Sequence, residues 1–120
     1  MIEVPTIEVA QVPDPIPEGV TVLDVREPIE WEEHIEGAVQ VPRGILEFQA
    51  DPASPPHNAA HNPALDPHAR VIAVCRSGTR ATLAAATLMD LGFTDVVNLA
   101  GGMNAWKQAG LPTSEAHAGL

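Results

Sequence analysis

The only cysteine of the chain, Cys75, stands where an apolar run ends and a loop of small and basic residues begins. The residues that follow it are Arg76, Ser77, Gly78, Thr79 and Arg80. A thiolate is a strong nucleophile, and nearby cations and backbone N–H groups at a helix N-terminus stabilise it. Most free cysteines only fill the core, but this neighbourhood favours a reactive thiol with residues 76–80 as its anion-binding loop.

The elements around Cys75 must place this loop at the edge of a sheet. Short apolar runs alternate with helical patterns along the chain, which is typical of a parallel α/β sheet. Cys75 ends the run RVIAVC, which predicts a central strand, and a helical pattern begins at Thr79. A strand-to-helix turn at the carboxyl end of a parallel sheet is the usual place for a ligand site. Its N–H groups form a concavity that binds anions.

The same patterns predict the other elements. We expect strands over 20–25, 38–42, 70–75 and 95–99, and an edge strand over 3–8, where Pro5 is tolerated. We expect helices over 27–35, from residue 44 onward, over 79–92 and over 103–110. The buried stripe of the third helix is predicted to comprise Leu83, Ala84, Thr87, Leu88 and Leu91. Gly92 is its predicted cap. The fold class is therefore α/β, with a central, mostly parallel sheet of four to five strands and helices on both faces.

The length of 120 residues predicts one domain, 1–120. Residues 51–68 are rich in proline, asparagine and aspartate, and predict a long surface loop. Residues 113–120 are predicted to be a flexible tail. The loop contains His57, His61 and His68, but their spacing is loose and no cysteine joins them, so we expect no metal site.

Charge limits the choice of partners. Sixteen acidic residues against six basic ones give a formal net charge of -10, which repels nucleic acids and anionic membranes. The N-terminus lacks the basic start and apolar segment of a signal peptide, and no apolar run is long enough to span a bilayer. A free thiol suits a reducing compartment. We therefore expect a cytoplasmic protein, monomeric or weakly homodimeric, that binds neither nucleic acid nor membrane.

Three stretches resemble motifs of the rhodanese-type sulfurtransferases. CRSGTR, at 75–80, is similar to their active-site loop. VLDVREPIEWEEHIEGAVQVP, at 22–42, and VVNLAGGMNAWKQAGLP, at 96–112, are similar to their two flanking motifs. Residues 42–57 resemble an insertion of some single-domain members. The chain departs from the family at Glu33, Glu36 and Ala81, where glycine, proline and serine or another small residue are usual, which puts local turn geometry in question but leaves the reacting groups in place.

The resemblance implies a rhodanese-like domain with Cys75 as the catalytic residue and residues 76–80 as the substrate-binding loop. It implies that Asp24 braces this loop through hydrogen bonds and that Arg26 lines its mouth. The implied reaction moves a sulfane sulfur from a small anionic donor such as thiosulfate, through a persulfide on Cys75, to cyanide, a small thiol or a protein thiol. No cofactor is implied. Arg43 and Glu47 either face the pocket or form a surface ion pair.

Other functions fit the sequence less well. Cysteine phosphatases space their cysteine and arginine as Cys-x5-Arg, whereas Cys75 and Arg80 are spaced as Cys-x4-Arg. Thiol–disulfide chemistry uses a second, resolving cysteine, and the chain has none. A non-catalytic rhodanese-like module that binds a partner or senses oxidants remains open. The cysteine and its loop favour the enzyme, since inactive modules often lack that cysteine.

Overall fold

The computed structural model describes residues 4–13, 16–50 and 65–115. The strands within these ranges are β1 (Thr6–Ile7), β2 (Val20–Asp24), β3 (Glu33–His34), β4 (Val39–Gln40), β5 (Arg70–Val74), β6 (Val96–Leu99) and β7 (Ser114–Glu115). The α-helices are α1 (Leu46–Ala50), α2 (Thr79–Asp90) and α3 (Gly102–Gln108). Short 3₁₀ turns cover Val9–Gln11, Pro28–Glu30 and Arg43–Ile45.

Five parallel strands form the central sheet in the order β1-β6-β5-β2-β4. Strand β5 lies in the middle and pairs with β2 from Val20↔Arg70 to Asp24↔Val74. On its other side β5 pairs with β6, beginning at Val71↔Val96. The predicted parallel sheet, its central strand and its N-terminal edge strand are therefore confirmed.

Side chains alternate between the two faces of a strand, and the sheet accordingly separates two cores. Leu23, Ala73 and Cys75 pack on one face, in the cluster that includes the buried residues of α1 and α2. Val22 and Ile72 pack on the other face, in the cluster that includes residues of α3. Helices thus cover both faces, as the sequence predicts. Among the described residues, no helix is long and apolar enough to cross a bilayer.

The buried face of α2 differs from the predicted stripe. Its buried side chains are those of Ala81, Ala84, Ala85 and Leu88, whereas the predicted core residue Leu83 is 59% exposed. Three of the four buried residues are alanines, and their small side chains let α2 lie close to the sheet. The helix ends where predicted, because Gly92 follows it with a φ of +100°.

Residues 27–35 do not form the predicted helix. They form the 3₁₀ turn Pro28–Glu30 and then β3, which pairs antiparallel with β7. The carbonyl of Glu33 accepts a hydrogen bond of 2.9 Å from the Arg26 guanidinium, so it is engaged by a side chain and not by a helical N–H. The predicted flexible tail, 113–120, therefore begins with a paired strand, and its residues 116–120 lie outside the described ranges. Of the predicted loop 51–68, residues 51–64 also lie outside them.

The observed buried face of α2 predicts that the same substitution lowers the stability of the fold at one position and hardly changes it at another. Leu88→Ala should lower the free energy of unfolding by about 2–5 kcal/mol, because it leaves a cavity in the core. Leu83→Ala should change it by less than about 0.5 kcal/mol, because Leu83 lies mostly in solvent. Urea unfolding of both variants measures the difference. Equal losses would mean that the predicted stripe, and not the observed face, packs on the sheet.

Candidate active site

Cys75 lies at the carboxyl end of β5, one residue beyond the strand and four before α2. Its side chain is 1% exposed, and the N–H of Gly78 donates a hydrogen bond of 2.9 Å to its Sγ. Gly78 is the N-cap residue of α2 and has a φ of +110°, a conformation that glycine adopts without steric cost. The predicted turn therefore exists, and it directs a backbone N–H and a helix N-terminus at the sulfur.

A second turn, Gly101–Gly102, packs against the backbone of this loop. The N–H of Met103 donates to the carbonyl of Cys75 at 2.8 Å, and the N–H of Asn104 donates to the carbonyl of Arg76 at 3.0 Å. Gly102 has a φ of +54°, and a Cβ atom there would overlap the Cys75 carbonyl oxygen and lie 2.9 Å from the carbonyl carbon and oxygen of Arg76. Only glycine allows the two turns to approach so closely. The paired glycines are visible in the sequence, but their role is not.

Asn98 anchors the loop from β6. Its Nδ2 donates to Thr82 Oγ1 at 3.0 Å, and Thr82 Oγ1 donates to the carbonyl of Gly78 at 2.9 Å. Asn98 is 7% exposed. This chain of hydrogen bonds was not predicted from the sequence. The sequence feature that could have predicted it is that Asn98 is the only polar residue within the apolar strand β6.

Arg80 is not a free cation. Its Nη1 and Nη2 donate to the two carboxylate oxygens of Glu30, at 2.7 Å and 3.0 Å. These hydrogen bonds are the main cause that lowers the pKa of Glu30 from 4.5 to about 2. The same bonds raise the pKa of Arg80, and the negative charges of Glu30, Cys75 and Glu27 add to this effect. Arg80, a predicted residue of the substrate-binding loop, therefore forms a bidentate ion pair with Glu30 of the turn Pro28–Glu30.

Arg76 is exposed, and its side chain makes no hydrogen bond or ion pair with any described residue. Every other cation of the chain pairs with a carboxylate. The pairs are Arg26–Asp24 at 2.8 Å, Arg43–Glu47 at 2.8 Å, Arg70–Asp95 at 3.4 Å, Arg80–Glu30 at 2.7 Å and Lys107–Glu33 at 3.3 Å. Within the described part of the chain, the positive charge that is free to meet an anion is therefore at Arg76.

Asp24 and Arg26 lie at the end of β2, beside the cysteine strand β5, and their side chains bind each other. The carboxylate of Asp24 accepts bonds from Nε, Nη2 and the backbone N–H of Arg26, at 2.8–3.1 Å. Both side chains are buried, and within the described ranges the hydrogen bonds to the Asp24 carboxylate all come from Arg26. The expected hydrogen bonds from Asp24 to the cysteine loop are thus replaced by an ion pair at the end of β2. Because Arg26 also holds the Glu33 carbonyl, this pair fixes the start of β3.

Arg43 and Glu47 form the surface ion pair that was one of their two predicted arrangements. Arg43 Nη1 donates to Glu47 Oε1 at 2.8 Å, and Arg43 Nη2 donates to Thr87 Oγ1 at 2.9 Å. Arg43 therefore ties its 3₁₀ turn to the third turn of α2. Within the described ranges, no group of three or more histidine, cysteine or acidic residues could hold a metal ion. His57 and His61 lie outside those ranges, so the absence of a metal site stays a prediction.

The contact between the two turns predicts that Gly102 does not tolerate a side chain. Gly102→Ala should lower the free energy of unfolding by at least about 1–3 kcal/mol, because the new Cβ meets backbone atoms in a left-handed conformation. Gly44→Ala is the matched control, because a Cβ there meets nothing within 4 Å. Urea unfolding compares them. If both variants were as stable as the parent, the two turns could not be in the contact described.

The ion pair of Glu30 and Arg80 predicts a pH dependence. The pKa of Glu30 is lower in the folded chain, about 2, than its usual 4.5. The pair should therefore stabilise the fold fully above pH 4.5 and lose its effect as the pH falls through about 2. Urea unfolding from pH 7 to pH 2 measures the difference in unfolding free energy between the parent and Glu30→Gln. This difference should shrink as the pH falls.

Glu47→Gln is the control for this series. Its carboxylate also binds an arginine, but Glu47 is 54% exposed, so solvent screens the pair and its removal should cost less at pH 7. A Glu30→Gln difference that stayed constant down to pH 2 would contradict the assigned ion pair.

Known proteins of similar sequence agree with this architecture. A family model described as rhodanese-like domain matches residues 8–109. The chain is 37% identical over 95 residues to thiosulfate sulfurtransferase 16, chloroplastic, of Arabidopsis thaliana, and the match covers 76% of this chain and 77% of that protein. It is 34% identical over 90 residues to the putative sulfur carrier protein YrkF of Bacillus subtilis, covering 74% of this chain and 42% of the relative. The chain thus spans less than half of the length of this relative and of several others.

A solved structure of similar shape comes from Rhodopseudomonas palustris. It belongs to a protein of unknown function described as a possible tyrosine phosphatase, with 32% sequence identity and a TM-score of 0.82. The superposition covers 92% of this chain and 85% of that one. The family model spans both turns of the candidate site and every strand of the central sheet except β1. This chain belongs to the family of rhodanese-like domains.

Proposed function

We propose that this domain is a sulfurtransferase that carries a sulfane sulfur on Cys75. The thiolate attacks the outer sulfur of a donor such as thiosulfate. A bond forms between Sγ and that sulfur, the donor S–S bond breaks, and sulfite leaves with the electron pair. A thiophilic acceptor, cyanide or a thiol, then attacks the outer sulfur of the persulfide and releases the Cys75 thiolate. The proposal needs neither a cofactor nor a metal.

The observation that carries the proposal is the hydrogen bond of 2.9 Å from the Gly78 N–H to Cys75 Sγ. Backbone N–H groups at the start of a helix stabilise anionic sulfur. A persulfide extends the side chain by one S–S bond of about 2 Å. The outer sulfur would therefore still lie within the turn formed by residues 76–79, where further N–H groups could stabilise its negative charge.

Two further features suit a sulfur carrier. Cys75 is 1% exposed, so a sulfur atom bound to it would be largely shielded from water. Cys75 is also the only cysteine of the chain. A sulfur bound to it meets no internal thiol that could displace it, and it must leave to an external acceptor.

The arrangement of Arg80 disfavours phosphatase chemistry. In a cysteine phosphatase, the arginine at the end of the loop would hold the phosphate through two parallel hydrogen bonds. Here the carboxylate of Glu30 occupies Nη1 and Nη2 of Arg80. Together with the Cys-x4-Arg spacing, this supports sulfur transfer over phosphate hydrolysis. Loading of Cys75 with sulfur distinguishes the enzyme from the non-catalytic alternative, a binding or redox-sensing module.

Treatment with thiosulfate should add one sulfur atom to Cys75, and cyanide should remove it, because the persulfide is the intermediate of the proposed reaction. Mass spectrometry of the intact protein and of the peptide that contains Cys75 measures both steps. Cys75→Ser should take up no sulfur and show no transfer from thiosulfate to cyanide, while its circular dichroism stays that of the parent.

Two outcomes would contradict the proposal. Turnover by Cys75→Ser would exclude Cys75 as the carrier. A parent protein that takes up sulfur neither from thiosulfate nor from an organic persulfide would favour the non-catalytic module.

A further inference from the structure

A chain of hydrogen bonds runs from the central sheet to the peptide unit that follows Gly78. Asn98 pairs with Ala73 of β5, and its N–H donates to the carbonyl of Pro5 at 2.9 Å, so its backbone is fixed on both sides. Its Nδ2 donates to Thr82 Oγ1 at 3.0 Å, and Thr82 Oγ1 donates to the Gly78 carbonyl at 2.9 Å. The N–H of Thr82 donates to the same carbonyl at 3.1 Å. The Gly78 carbonyl therefore accepts two hydrogen bonds, and Asn98 connects one of them to the sheet.

The direction of this carbonyl determines the direction of the next N–H group. In a planar trans peptide unit, the C=O and the N–H point in opposite directions. The Gly78 carbonyl points along α2 toward Thr82, so the N–H of Thr79 points out of the N-terminus of the helix. Cys75 Sγ lies at this end, where it accepts the hydrogen bond of 2.9 Å from the Gly78 N–H. Because the first N–H groups of a helix have no partner within it, the N–H of Thr79 is available to a second sulfur atom on Cys75.

The side chain of Asn98 is costly for the stability of the fold. Asn98 is 7% exposed, and its Oδ1 is buried with no hydrogen-bond partner in the described part of the chain. A buried carbonyl oxygen without a partner loses its hydration and gains no bond in return. The other residues of β6 are two valines and a leucine, so an apolar side chain would suit this strand better. A local cost of this kind is typical of functional positions.

We propose that Asn98 and Thr82 are positioning residues for the transferred sulfur. They hold the peptide unit between Gly78 and Thr79, so that its N–H faces the outer sulfur of the Cys75 persulfide, which carries the negative charge. Hydrogen bonds in a chain polarise one another, so the two bonds to the Gly78 carbonyl also make this N–H a stronger donor. The inference rests on the proposed sulfurtransferase function and adds two residues to its site.

Thr82→Val and Thr82→Ser separate the hydroxyl from the rest of the side chain. Valine has the shape of threonine but cannot donate to the Gly78 carbonyl, whereas serine can. Thr82→Val should lower the maximal rate of sulfur loading from thiosulfate about tenfold or more, because a displacement of about 1 Å in such a site costs about a hundredfold. The concentration of thiosulfate that gives half of this rate should change less, since Arg76 is untouched. Thr82→Ser should stay within about twofold of the parent, because it keeps the donor.

Asn98→Val tests the part of the chain that lies in the sheet. Valine suits a buried strand, and it removes the unpartnered Oδ1 together with the donor, so the free energy of unfolding should change little. Loading should nevertheless slow about threefold or more, because the Thr82 hydroxyl loses the donor that orients it. Added to Thr82→Val, the same substitution should cause no further loss of rate, because both residues act through one chain.

Thr87→Val is the matched control on the same helix. The hydroxyl of Thr87 also holds a hydrogen bond, from Arg43 at 2.9 Å, but it lies two helical turns beyond the cysteine loop. Its removal should leave the loading rate equal to that of the parent. Quenching and mass spectrometry measure loading of Cys75 in every variant, and urea unfolding measures its folded fraction.

Hydrogen exchange of the Gly78 N–H, followed by NMR, tests the positioning without sulfur transfer. This N–H should exchange at least about tenfold faster in Thr82→Val than in Thr82→Ser, because the valine variant no longer holds the loop peptide. The N–H of Val25 donates to the Val74 carbonyl at 2.9 Å in the sheet and reports opening of the whole fold. Its exchange should accelerate less than that of Gly78.

Several outcomes would overturn the inference. They are loading by Thr82→Val as fast as by the parent, equal losses in Thr82→Val and Thr82→Ser, and a loss that only follows the folded fraction. Loading by Asn98→Val at the parent rate would remove Asn98 from the positioning chain. If the parent itself takes up no sulfur, the proposed function fails. The exchange of the Gly78 N–H then still decides whether the two side chains hold the loop peptide.

Discussion

The close contact between two turns is the constraint on which the site depends. The loop after Cys75 rests on the turn Gly101–Gly102, and the N–H groups of Met103 and Asn104 donate to the carbonyls of Cys75 and Arg76 at 2.8 Å and 3.0 Å. These bonds leave the N–H of Gly78 directed at the sulfur. A side chain at Gly102 would push the turns apart. Two adjacent parallel strands, β5 and β6, bring the turns to the same edge of the sheet.

The rest of the chain limits what this loop can bind. Ion pairs immobilise the loop and its surroundings and also neutralise positive charge. Glu30 binds Arg80 across 50 positions of the chain, and Asp24 binds Arg26, two residues further along. Arg76 is left as the free cation of the described structure, next in sequence to a nearly buried sulfur. The proposed sulfur carrier rests on a loop that would stabilise anionic sulfur mainly through backbone N–H groups.

Local patterns predicted the parts of the fold that depend on neighbours in sequence. Apolar runs located the strands of the sheet, and the junction of β5 with α2 located the loop around Cys75. The patterns failed where distant residues decide. Arg80 and Glu30 are 50 positions apart, and the strand that replaces the predicted helix over 27–35 pairs with Ser114–Glu115. The buried face of α2 was misplaced because its core contacts are mostly alanines, and the large apolar Leu83 is the exposed one.

The most direct test of the central claim is a crystal structure of the persulfidated protein, obtained after treatment with a sulfane-sulfur donor. The account predicts one additional sulfur atom bonded to Cys75 Sγ, lying inside the turn of residues 76–79 and accepting hydrogen bonds from its backbone N–H groups. Arg80 should remain paired with Glu30. An additional sulfur that points away from these N–H groups, or a loop that must leave the Gly101–Gly102 turn to accommodate it, would contradict the account.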